Sequence, residues 1–284
     1  MGAIISRFAP APTGFLHLGH VVNALYVWEH ADRVLLRIED HDRQRSRREY
    51  ETAILEDLRW LGFEWDGPVV RQSERGDIYI CALERLRAQQ LVYACTCSRD
   101  EIAARTVTRM AGPLGPADPP GPEGPGLRED HALRYDGNCR DRGIADTPGI
   151  SLRVRLEPSI ERFVDLRHGP QAQRPSDQCG DLVVRDREGN WTYQFAVTVD
   201  DFEQGITHVI RGDDLLDSAG RQIQLARLLG RDTPPTFLHH PLIMKSPTQK
   251  LSKSDGATGV RDLRAQGWRA KDVLDKARSL IIAP

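Results

Sequence analysis

Apolar runs of strand length alternate with helical patterns through the first third of the chain, and this alternation limits the fold more than any other feature. Strands are predicted at Ala3–Phe8 and Val34–Glu39, both rich in apolar residues. Helices are predicted at Leu18–His30, Arg47–Leu61 and Ile78–Leu91. Because strands that alternate with helices form a parallel sheet with crossover helices, we expect a Rossmann-like α/β core.

The same alternation returns later in the chain, after a segment of different character. Residues 111–126 are mostly Pro and Gly, which excludes a regular helix or strand and predicts a surface excursion. Further strands are predicted at Leu152–Leu156, Leu182–Arg185, Trp191–Val199, Ile206–Arg211 and Phe237–Leu242, and a helix at Asp213–Leu229. We therefore expect two halves of one core, residues 1–91 and 191–284, separated by an insertion at residues 92–190.

The composition excludes several classes of protein. The 284 residues carry 39 Lys and Arg against 41 Asp and Glu, so neither wholesale disorder nor a strongly basic coat is expected. The stretch Phe8–Trp28 lacks charged residues, but its prolines, histidines and asparagine argue against a membrane span. The N-terminal residues do not resemble a secretory signal peptide, and five cysteines argue against a disulfide framework. A cytoplasmic protein is expected.

His17, Gly19 and His20 stand where the first strand gives way to the first helix. This place is an anion site in Rossmann-like folds, because backbone N–H groups at a helix start point outward. A glycine lets a phosphate approach closely, and two imidazoles can donate hydrogen bonds to a triphosphate. The pattern predicts nucleotide binding. A histidine that only caps the helix is the alternative, and nucleotidylyltransferases share the pattern.

Lys250 and Lys253 lie in the segment KLSKS at residues 250–254, within a stretch rich in Ser and Gly. Two ammonium groups on such a loop can neutralise the charge of a leaving pyrophosphate. A solvated loop is the simpler interpretation of this segment alone. Its combination with the upstream histidine pair favours a catalytic role for all four residues: His17, His20, Lys250 and Lys253.

Four segments, in order, resemble the glutamyl branch of the class I aminoacyl-tRNA synthetases. They are RFAPAPTGFLHLGH at residues 7–20, RIEDHD at 37–42, THVIRGDDLLDS at 207–218 and KLSKS at 250–254. The resemblance implies a Rossmann-like catalytic core with a zinc-containing insertion. Within this branch the chain resembles the short glutamyl-queuosine tRNA(Asp) synthetases, which lack an anticodon-binding domain, and its end at residue 284 fits that pattern.

This resemblance implies a reaction in two steps. Glutamate attacks the α-phosphate of ATP to give glutamyl-adenylate, and queuosine at the wobble position of tRNA(Asp) then takes the glutamyl group. Positioning and electrostatics do the work, and Mg²⁺ is expected with the nucleotide. A monomer is expected. The ATP-binding residues implied are His17, Gly19, His20 and Lys253.

A glutamate ligand carries two carboxylates and one ammonium group, so its site needs cationic partners and at least one acid. Arg7, Glu39, Tyr193 and Arg211 supply these groups at or beside the ends of predicted strands. Surface ion pairs of the arginines with nearby aspartates are the alternative. The resemblance implies that Glu39 contacts the ammonium group and the arginines the carboxylates. The positions that it implies for the whole glutamate site are Arg7, Phe8, Ala9, Pro10, Ala11, Glu39, Tyr193 and Arg211.

Ala11 departs from the family pattern, which usually has serine at this position. The change removes a hydroxyl donor to the amino acid. We expect it to weaken binding by about 0.5–1.5 kcal/mol unless another group, such as Thr13, replaces the donor.

Cys95 and Cys97 form a Cys-x-Cys pair after an apolar strand-like run, and Cys139 follows in the sequence YDGNC. With a fourth ligand these thiolates would complete a structural zinc site, and unreactive thiols are the alternative. The residues alone leave the fourth ligand open between Tyr135, His131 and Cys179. The short synthetases that the chain resembles carry a Cys-x-Cys and Tyr-x3-Cys zinc site, which implies Cys95, Cys97, Tyr135 and Cys139. Cys81 lies in a helical pattern and is expected in the core.

Three other functions remain open at this point. One is ordinary synthesis of glutamyl-tRNA at the 3′ end of tRNA(Glu), and another is a nucleotidylyltransferase that shares only the histidine pattern. A third is a degenerate synthetase-like domain that binds RNA or protein, which the intact signatures disfavour. Within the insertion, phosphate contacts to RNA are expected at Arg99, Arg105, Arg109, Arg153 and Arg155.

Overall fold

The computed structural model describes residues 2–110, 133–242, 244–246, 249–250 and 259–282. The α-helices are α1 Leu18–His30, α2 Arg48–Leu61, α3 Gly76–Ala88, α4 Arg99–Met110, α5 Pro175–Gln178, α6 Tyr193–Glu203, α7 Ala219–Leu228, α8 Val260–Ala265 and α9 Ala270–Ile282. The strands are β1 Ile5–Phe8, β2 Arg33–Ile38, β3 Val70–Arg71, β4 Val92–Cys95, β5 Ser151–Val154, β6 Glu161–Asp165, β7 Gly169–Gln173, β8 Leu182–Arg185, β9 His208–Gly212, β10 Thr236–His240, β11 Met244–Ser246 and β12 Gln249–Lys250. Short 3-10 helices cover Gln72–Glu74 and Asp213–Ser218.

Two groups of parallel strands meet at β1 and β9. β1 pairs with β2 and β2 with β3, while β10 pairs with both β9 and β6, and β7 lies antiparallel at the edge. The Thr207 N–H donates to the Ile5 carbonyl at 3.0 Å, which places the start of β9 beside β1. The carboxyl ends of β1, β2, β9 and β10 therefore lie at one edge, where open α/β sheets bind ligands. The predicted Rossmann-like α/β core is confirmed.

α1 covers this sheet with one apolar face. Leu18, Val21, Val22 and Leu25 recur at helical spacing and are all buried. They pack in one cluster with apolar residues of β1, β2, α2 and α9. Burial of each such side chain contributes about 1.5–3 kcal/mol, so this cluster fixes the start of α1 against the sheet edge.

A second, antiparallel sheet forms from β4, β5 and β8. It has its own apolar cluster, which includes Leu152, Val184 and Phe195. β6 and β7, which lie between β5 and β8 in the chain, pair instead with β10 of the first sheet. The domain boundaries at residues 91 and 190 stay a prediction.

The strand predicted at Trp191–Val199 is wrong, because this segment begins α6. The preceding turn closes with a bridge between Arg185 and Trp191, and the helix starts at Tyr193. Every residue from Phe195 to Asp201 is buried. A helix that is covered on all sides shows no alternation of polar and apolar faces, so its sequence lacks helical periodicity.

The single helix predicted at Asp213–Leu229 is divided in the structure. Asp213–Ser218 is a 3-10 helix, and α7 begins only at Ala219. The Leu215 carbonyl accepts a hydrogen bond from the Arg211 guanidinium at 3.1 Å. An α-helix would use this carbonyl for the N–H of Ala219, but that N–H donates to the Leu216 carbonyl, as in a 3-10 turn.

Cys81, expected in the core, is exposed. The buried face of α3 consists of Tyr79, Ala82, Leu83 and Leu86, and Cys81 lies outside it.

In the described part of the chain, no helix combines the length and the apolar character needed to cross a bilayer. The cytoplasmic location stays a prediction.

Asp57 of α2 is a buried carboxylate close to a single arginine nitrogen. It is 0% exposed, neither oxygen has a hydrogen-bond partner among the described residues, and Arg261 Nε lies 3.7 Å from Oδ2. Burial raises its pKa to about 6 against the attraction of Arg261. Since the folded pKa lies above that of the unfolded chain, the native state binds more protons between about pH 4 and 6. Stability therefore falls as the pH rises through this window.

We expect Asp57→Asn to raise the free energy of unfolding at pH 7 by about 2 kcal/mol, because the variant avoids burial of a charge that accepts no hydrogen bond among the described residues. The two proteins should differ little below pH 4. Denaturant unfolding at both pH values checks this. Glu56→Gln is the matched control, because Glu56 is exposed on the same helix and also pairs with Arg261. An Asn variant that is no more stable than the control at pH 7 would contradict the assignment.

Candidate active site and metal centre

His17 and His20 cap the start of α1 by hydrogen bonds to the backbone. The Gly19 N–H donates to His17 Nδ1 at 3.0 Å, and the His17 N–H donates to His20 Nδ1 at 3.2 Å. Because each Nδ1 accepts a hydrogen bond, each neutral ring carries its proton on Nε2. The ring centroids lie 4.0 Å apart. Capping thus orients two Nε2–H groups at the positive end of the helix, so capping and phosphate binding are compatible roles.

Gly19 is required for this arrangement. A Cβ atom at this position would lie 2.7 Å from His17 Cε1. Any side chain here would therefore displace the His17 ring from its capping position.

The chain beyond the lysine segment returns to the histidine pair. The Val260 N–H donates to the Leu16 carbonyl at 2.9 Å, and Gly259 forms an antiparallel bridge with His17. Lys250 ends β12, and the structure describes its backbone only. Lys253 lies outside the described residues. The catalytic role of both lysines stays a prediction.

The loop after β1 is held by the segments that follow β2. The Glu39 N–H donates to the Pro10 carbonyl at 3.0 Å, and the Arg47 N–H donates to the Pro12 carbonyl at 2.9 Å. Phe8 and Pro10 are buried, and Ala9 and Ala11 are half-buried. These contacts bring the predicted residues 8–11 to the sheet edge beside Glu39.

Arg7 and Arg37 share one buried aspartate on α6, Asp201, and Arg37 also lies near Asp200. Arg7 Nε donates to Asp201 Oδ1 at 2.9 Å, and Arg37 Nη2 lies 2.8 Å from the same oxygen. Arg37 is 0% exposed, and its Nε lies 3.7 Å from Asp200. Burial alone would raise the pKa of Asp201, but the two arginines outweigh it and hold this pKa below its usual value. The alternative of surface ion pairs is wrong for Arg7, whose partner is buried.

Glu39 is a buried acid close to these cations. Its carboxylate lies 3.6 Å from Arg37 Nη2, and it is 8% exposed. Burial raises its pKa, although Arg37 and Arg7 act in the opposite direction. An ammonium group bound here would favour the ionised form, since an adjacent positive charge stabilises a carboxylate.

Tyr193 and Arg211 complete the set that the sequence predicted. The phenol of Tyr193 lies near enough to Arg211 to influence its pKa. Burial raises the pKa of Tyr193, and Glu39, Arg211 and Arg7 are all near enough to influence it. Burial lowers the pKa of Arg211. The structure therefore brings Arg7, Glu39, Tyr193 and Arg211 together.

Several further residues of this network were not predicted from the sequence. They are Arg37, Asp165, Asp200, Asp201, Gln222 and His239. Arg211 Nε donates to His239 Nε2 at 3.0 Å, and Arg211 Nη1 donates to Gln222 Oε1 at 2.7 Å. Polar residues within otherwise apolar segments are the available signal, as at His239 in the β10 sequence TFLHH.

Cys95, Cys97 and Cys139 form a cluster that could hold a metal ion. Their sulfur atoms all lie within 4.8 Å of one another, and those of Cys97 and Cys139 are 3.5 Å apart. Zn–S bonds of about 2.3 Å in a tetrahedron separate sulfurs by about 3.8 Å, so these distances fit zinc. The Tyr135 hydroxyl lies 3.4 Å from Cys95 Sγ and 4.0 Å from Cys97 Sγ. The set provides three sulfurs and one oxygen.

The structure separates the alternatives for the fourth ligand. Tyr135 lies in the cluster, whereas the Cys179 thiol donates to the Pro175 carbonyl at 3.2 Å. Cys179 packs in the apolar cluster of the antiparallel sheet. His131 lies outside the described residues.

Polar groups around the cluster donate hydrogen bonds to its sulfurs. Arg105 Nη2 lies 3.2 Å and Asn138 Nδ2 3.4 Å from Cys97 Sγ. Burial would raise the pKa of Cys139, but hydrogen bonds from Tyr135 and its surroundings lower it to about 6. At Cys97, burial outweighs the two donors and raises the pKa. Donors of this kind favour the thiolate, the form that binds metal.

The backbone of Gly180 packs closely against the backbone of Tyr135. The Tyr135 N–H donates to the Cys179 carbonyl at 2.9 Å. Gly180 has a φ of 67°, and a Cβ there would lie 2.0 Å from the Tyr135 carbonyl oxygen. Only glycine fits this close approach.

The arginines predicted to contact phosphates differ in their surroundings. Arg153 is buried, stacks 3.7 Å from the centroid of the Tyr135 ring and donates to the Asp181 carbonyl at 2.7 Å. Its predicted phosphate contact is wrong, because its guanidinium is engaged in this packing. Arg105 and Arg155 form ion pairs with Asp136 and Asp141. Arg99 is exposed, and the side chain of Arg109 lies outside the described part.

Residues 3–277 match the family model described as "tRNA synthetases class I (E and Q), catalytic domain". The chain is 40% identical to the glutamyl-Q tRNA(Asp) synthetase of Rhodobacter capsulatus, over 95% of this chain and 98% of that protein. It is 38% identical to the glutamate–tRNA ligase of Oleidesulfovibrio alaskensis over 94% of this chain. This chain spans only 54% of the length of that glutamate–tRNA ligase.

A solved structure shows the same fold. The glutamate tRNA ligase of Elizabethkingia meningosepticum, crystallised with its amino acid, is 31% identical with a TM-score of 0.70. The match covers 90% of this chain and 53% of that one. The Rossmann-like core and the converging charged residues are consistent with these similarities. The chain belongs to the class I tRNA synthetases for glutamate and glutamine and is a ligase of that family.

Proposed function

We propose that this chain activates L-glutamate with ATP and transfers the glutamyl group to queuosine at the wobble position of tRNA(Asp). The family supports an activity of the glutamate–tRNA ligase type. The finer assignment of the acceptor draws on the similarity to a glutamyl-Q tRNA(Asp) synthetase along nearly the full length of both chains. The observation that carries the proposal is the convergence of two buried arginines and one buried acid beside Tyr193.

Each group of glutamate has a partner of suitable charge in this proposal. Glu39 binds the ammonium group, and Arg7 and Arg211 bind the two carboxylates. Arg7 is paired with Asp201 at 2.9 Å, an aspartate that it shares with Arg37, whereas the acceptors of the Arg211 side-chain hydrogen bonds are neutral groups. Arg211 therefore supplies the larger uncompensated charge, and it can contact a carboxylate through two N–H groups. Ala11 contributes a methyl group where a serine would add a donor.

His17, Gly19 and His20 bind the phosphates of ATP. The Nε2–H orientation of both rings suits donation to phosphate oxygens, and the helix start adds positive potential. Lys250 and Lys253 neutralise the pyrophosphate as it leaves. Mg²⁺ accompanies the nucleotide as part of the substrate and screens its charge.

Activation is an in-line displacement at phosphorus. A glutamate carboxylate oxygen forms a bond to the α-phosphorus of ATP, and the bond from that phosphorus to the bridging oxygen of the β-phosphate breaks. Pyrophosphate leaves with the bonding electrons. The protein positions the two reactants and stabilises the charge on the phosphates, so no side chain forms a covalent bond.

Transfer uses a hydroxyl of the cyclopentene diol of queuosine. The hydroxyl oxygen attacks the carbonyl carbon of the adenylate, the bond from that carbon to the AMP oxygen breaks, and the hydroxyl proton is lost. The vicinal diol of queuosine resembles the diol of a terminal ribose. The same activation chemistry therefore serves either acceptor, and the 38% identity to a glutamate–tRNA ligase keeps tRNA(Glu) charging as the second candidate.

The cluster of Cys95, Cys97, Tyr135 and Cys139 binds a structural zinc ion in this proposal. Three thiolates and a phenolate fill four positions, so the site leaves none for substrate. The ion supplies a cross-link between the end of β4 and the segment around Cys139. Its role is folding of this region, away from the chemistry.

The activation step is tested by exchange of labelled pyrophosphate into ATP. We expect exchange that depends on L-glutamate and is absent with L-glutamine, because the two arginines and Glu39 match the charges of glutamate and glutamine lacks the second carboxylate. The assay is run without and with RNA. Binding of glutamate or RNA without any exchange in either condition would favour the degenerate module and contradict the proposal.

A further inference from the structure

His239 lies between a buried carboxylate and the arginine of the proposed glutamate site. Its Nδ1 is 2.7 Å from Asp165 Oδ2, and its Nε2 is 3.0 Å from Arg211 Nε. His239 is 0% and Asp165 1% exposed. The three side chains thus form a continuous line from β6 through β10 to β9.

The partners fix the protonation of this imidazole. An arginine N–H can only donate, so Nε2 must carry a lone pair. An ionised carboxylate can only accept, so Nδ1 must carry the proton. His239 is therefore neutral, with its hydrogen on Nδ1. Burial and the neighbouring Arg211 also keep the pKa of His239 low, at about 4, against the attraction of Asp165.

Asp165 is held ionised by other donors. Its Oδ1 accepts the N–H groups of Arg167 at 2.9 Å and His168 at 2.8 Å. Its Oδ2 also accepts the backbone N–H of His239 at 3.1 Å. Burial would raise the pKa of Asp165, but these hydrogen bonds and the His239 side chain lower it. The carboxylate is a fixed acceptor for the ring.

Each of the three nitrogens of the Arg211 guanidinium donates a hydrogen bond to a neutral acceptor. Nε donates to His239, Nη1 to Gln222 and Nη2 to the Leu215 carbonyl. Gln222 is positioned in turn by Gln194, since Gln222 Nε2 donates to Gln194 Oε1 at 2.8 Å. A neutral imidazole orients the guanidinium without cancelling its charge, which a carboxylate in the same place would do.

We infer that His239 is a positioning residue, which Asp165 locks in the Nδ1–H tautomer so that its Nε2 orients Arg211 toward a substrate carboxylate. This inference rests on the proposed function, because the reacting ligand is glutamate. His239 acts through Arg211 and touches neither glutamate nor ATP in this account. Its loss should raise the KM for glutamate and leave the KM for ATP nearly unchanged.

Two amide substitutions divide the roles of the ring. In His239→Gln the amide oxygen reaches the place of Nε2 and accepts from Arg211. In His239→Asn the shorter amide reaches only the place of Nδ1 and donates to Asp165. We expect KM for glutamate to rise about 10- to 100-fold in the Asn variant, because Arg211 loses its acceptor, and by no more than about 3-fold in the Gln variant.

The measurement is glutamate-dependent pyrophosphate exchange with both substrates varied, together with thermal unfolding of each variant. Equal effects of the two amides, or a smaller effect of Asn than of Gln, would overturn the inference, because both results indicate a purely structural histidine. Absence of exchange in the wild-type protein would instead refute the proposed function. The two failures are thus distinguishable.

A spectroscopic measurement tests the tautomer in the wild-type protein without an activity assay. Long-range ¹H–¹⁵N spectra of histidine-labelled wild-type protein at pH 7 should contain one neutral ring with its proton on Nδ1 that is missing from the His239→Gln spectrum. A ring at this position that is doubly protonated, or protonated on Nε2, would overturn the inference.

Discussion

Replacing Arg211 with lysine is expected to lower kcat/KM for glutamate in pyrophosphate exchange about 100-fold, or about 2.7 kcal/mol. The planar guanidinium satisfies His239, Gln222 and the Leu215 carbonyl while it presents its charge to the ligand. A lysine ammonium has three donors on a single nitrogen and cannot keep this geometry. Loss of the guanidinium should appear mostly in the KM for glutamate, since other residues form the proposed ATP site.

Arg227→Lys is the matched control for this substitution. Arg227 lies on α7 and pairs with Glu161, and its side chain is 47% exposed. Exposed ion pairs contribute little to stability, so we expect kcat/KM within about 2-fold of wild type. Thermal unfolding should be similar for the two variants. An Arg211→Lys protein that is folded and keeps the wild-type KM for glutamate would remove Arg211 from the substrate site.

Replacing Cys95 and Cys97 together with serine is expected to reduce bound zinc from about one ion per chain to near zero. Thiolates supply most of the binding free energy at such sites, and a serine hydroxyl is a poor zinc ligand at neutral pH. Without the metal, amide hydrogen exchange in β4 and β5 should accelerate about 100-fold or more, because local opening becomes easier by about 3 kcal/mol. Exchange in α1 and β1 should change much less.

Cys81→Ser and Cys179→Ser are the controls, because neither residue belongs to the cluster. Elemental analysis of protein purified without chelator, together with hydrogen exchange followed by mass spectrometry, makes the comparison. Zinc retained in the double variant, or zinc lost equally in Cys179→Ser, would contradict the ligand set.

Local patterns in the sequence predicted the elements that lie at the surface of a sheet. The helix Leu18–His30 has the predicted bounds, since its buried residues recur at regular helical spacing on one face. α6 was missed because neighbouring elements cover it on all sides, so polarity does not alternate along it. Within the 3-10 helix Asp213–Ser218, the Leu215 carbonyl accepts a hydrogen bond from the Arg211 side chain, a contact that helix propensity does not predict.

The residues of the candidate site also fall into those that the sequence predicted and those that it did not. Arg7, Glu39, Tyr193 and Arg211 were predicted from the charge of a glutamate ligand and from the family resemblance, and the structure brings them together. Asp201 lies far from Arg7 in the chain, and Asp165 far from His239. Their roles arise only when α6, β6 and β10 pack against the site, and such pairings between distant segments are invisible in a single sequence. Arg153 shows the converse, because a basic residue that suggested phosphate binding is buried against Tyr135.

The acceptor of the glutamyl group tests the central claim most directly. Labelled glutamate and ATP are offered with two RNA fragments: an anticodon stem-loop of tRNA(Asp) carrying queuosine, and an acceptor minihelix ending in CCA. The stem-loop ends in a 3′-deoxy nucleotide, so that queuosine provides its only vicinal diol, and a stem-loop with guanosine at the wobble position is the control. We predict label on the queuosine stem-loop and on neither other RNA. Label on the minihelix alone would contradict the account and indicate ordinary glutamyl-tRNA synthesis.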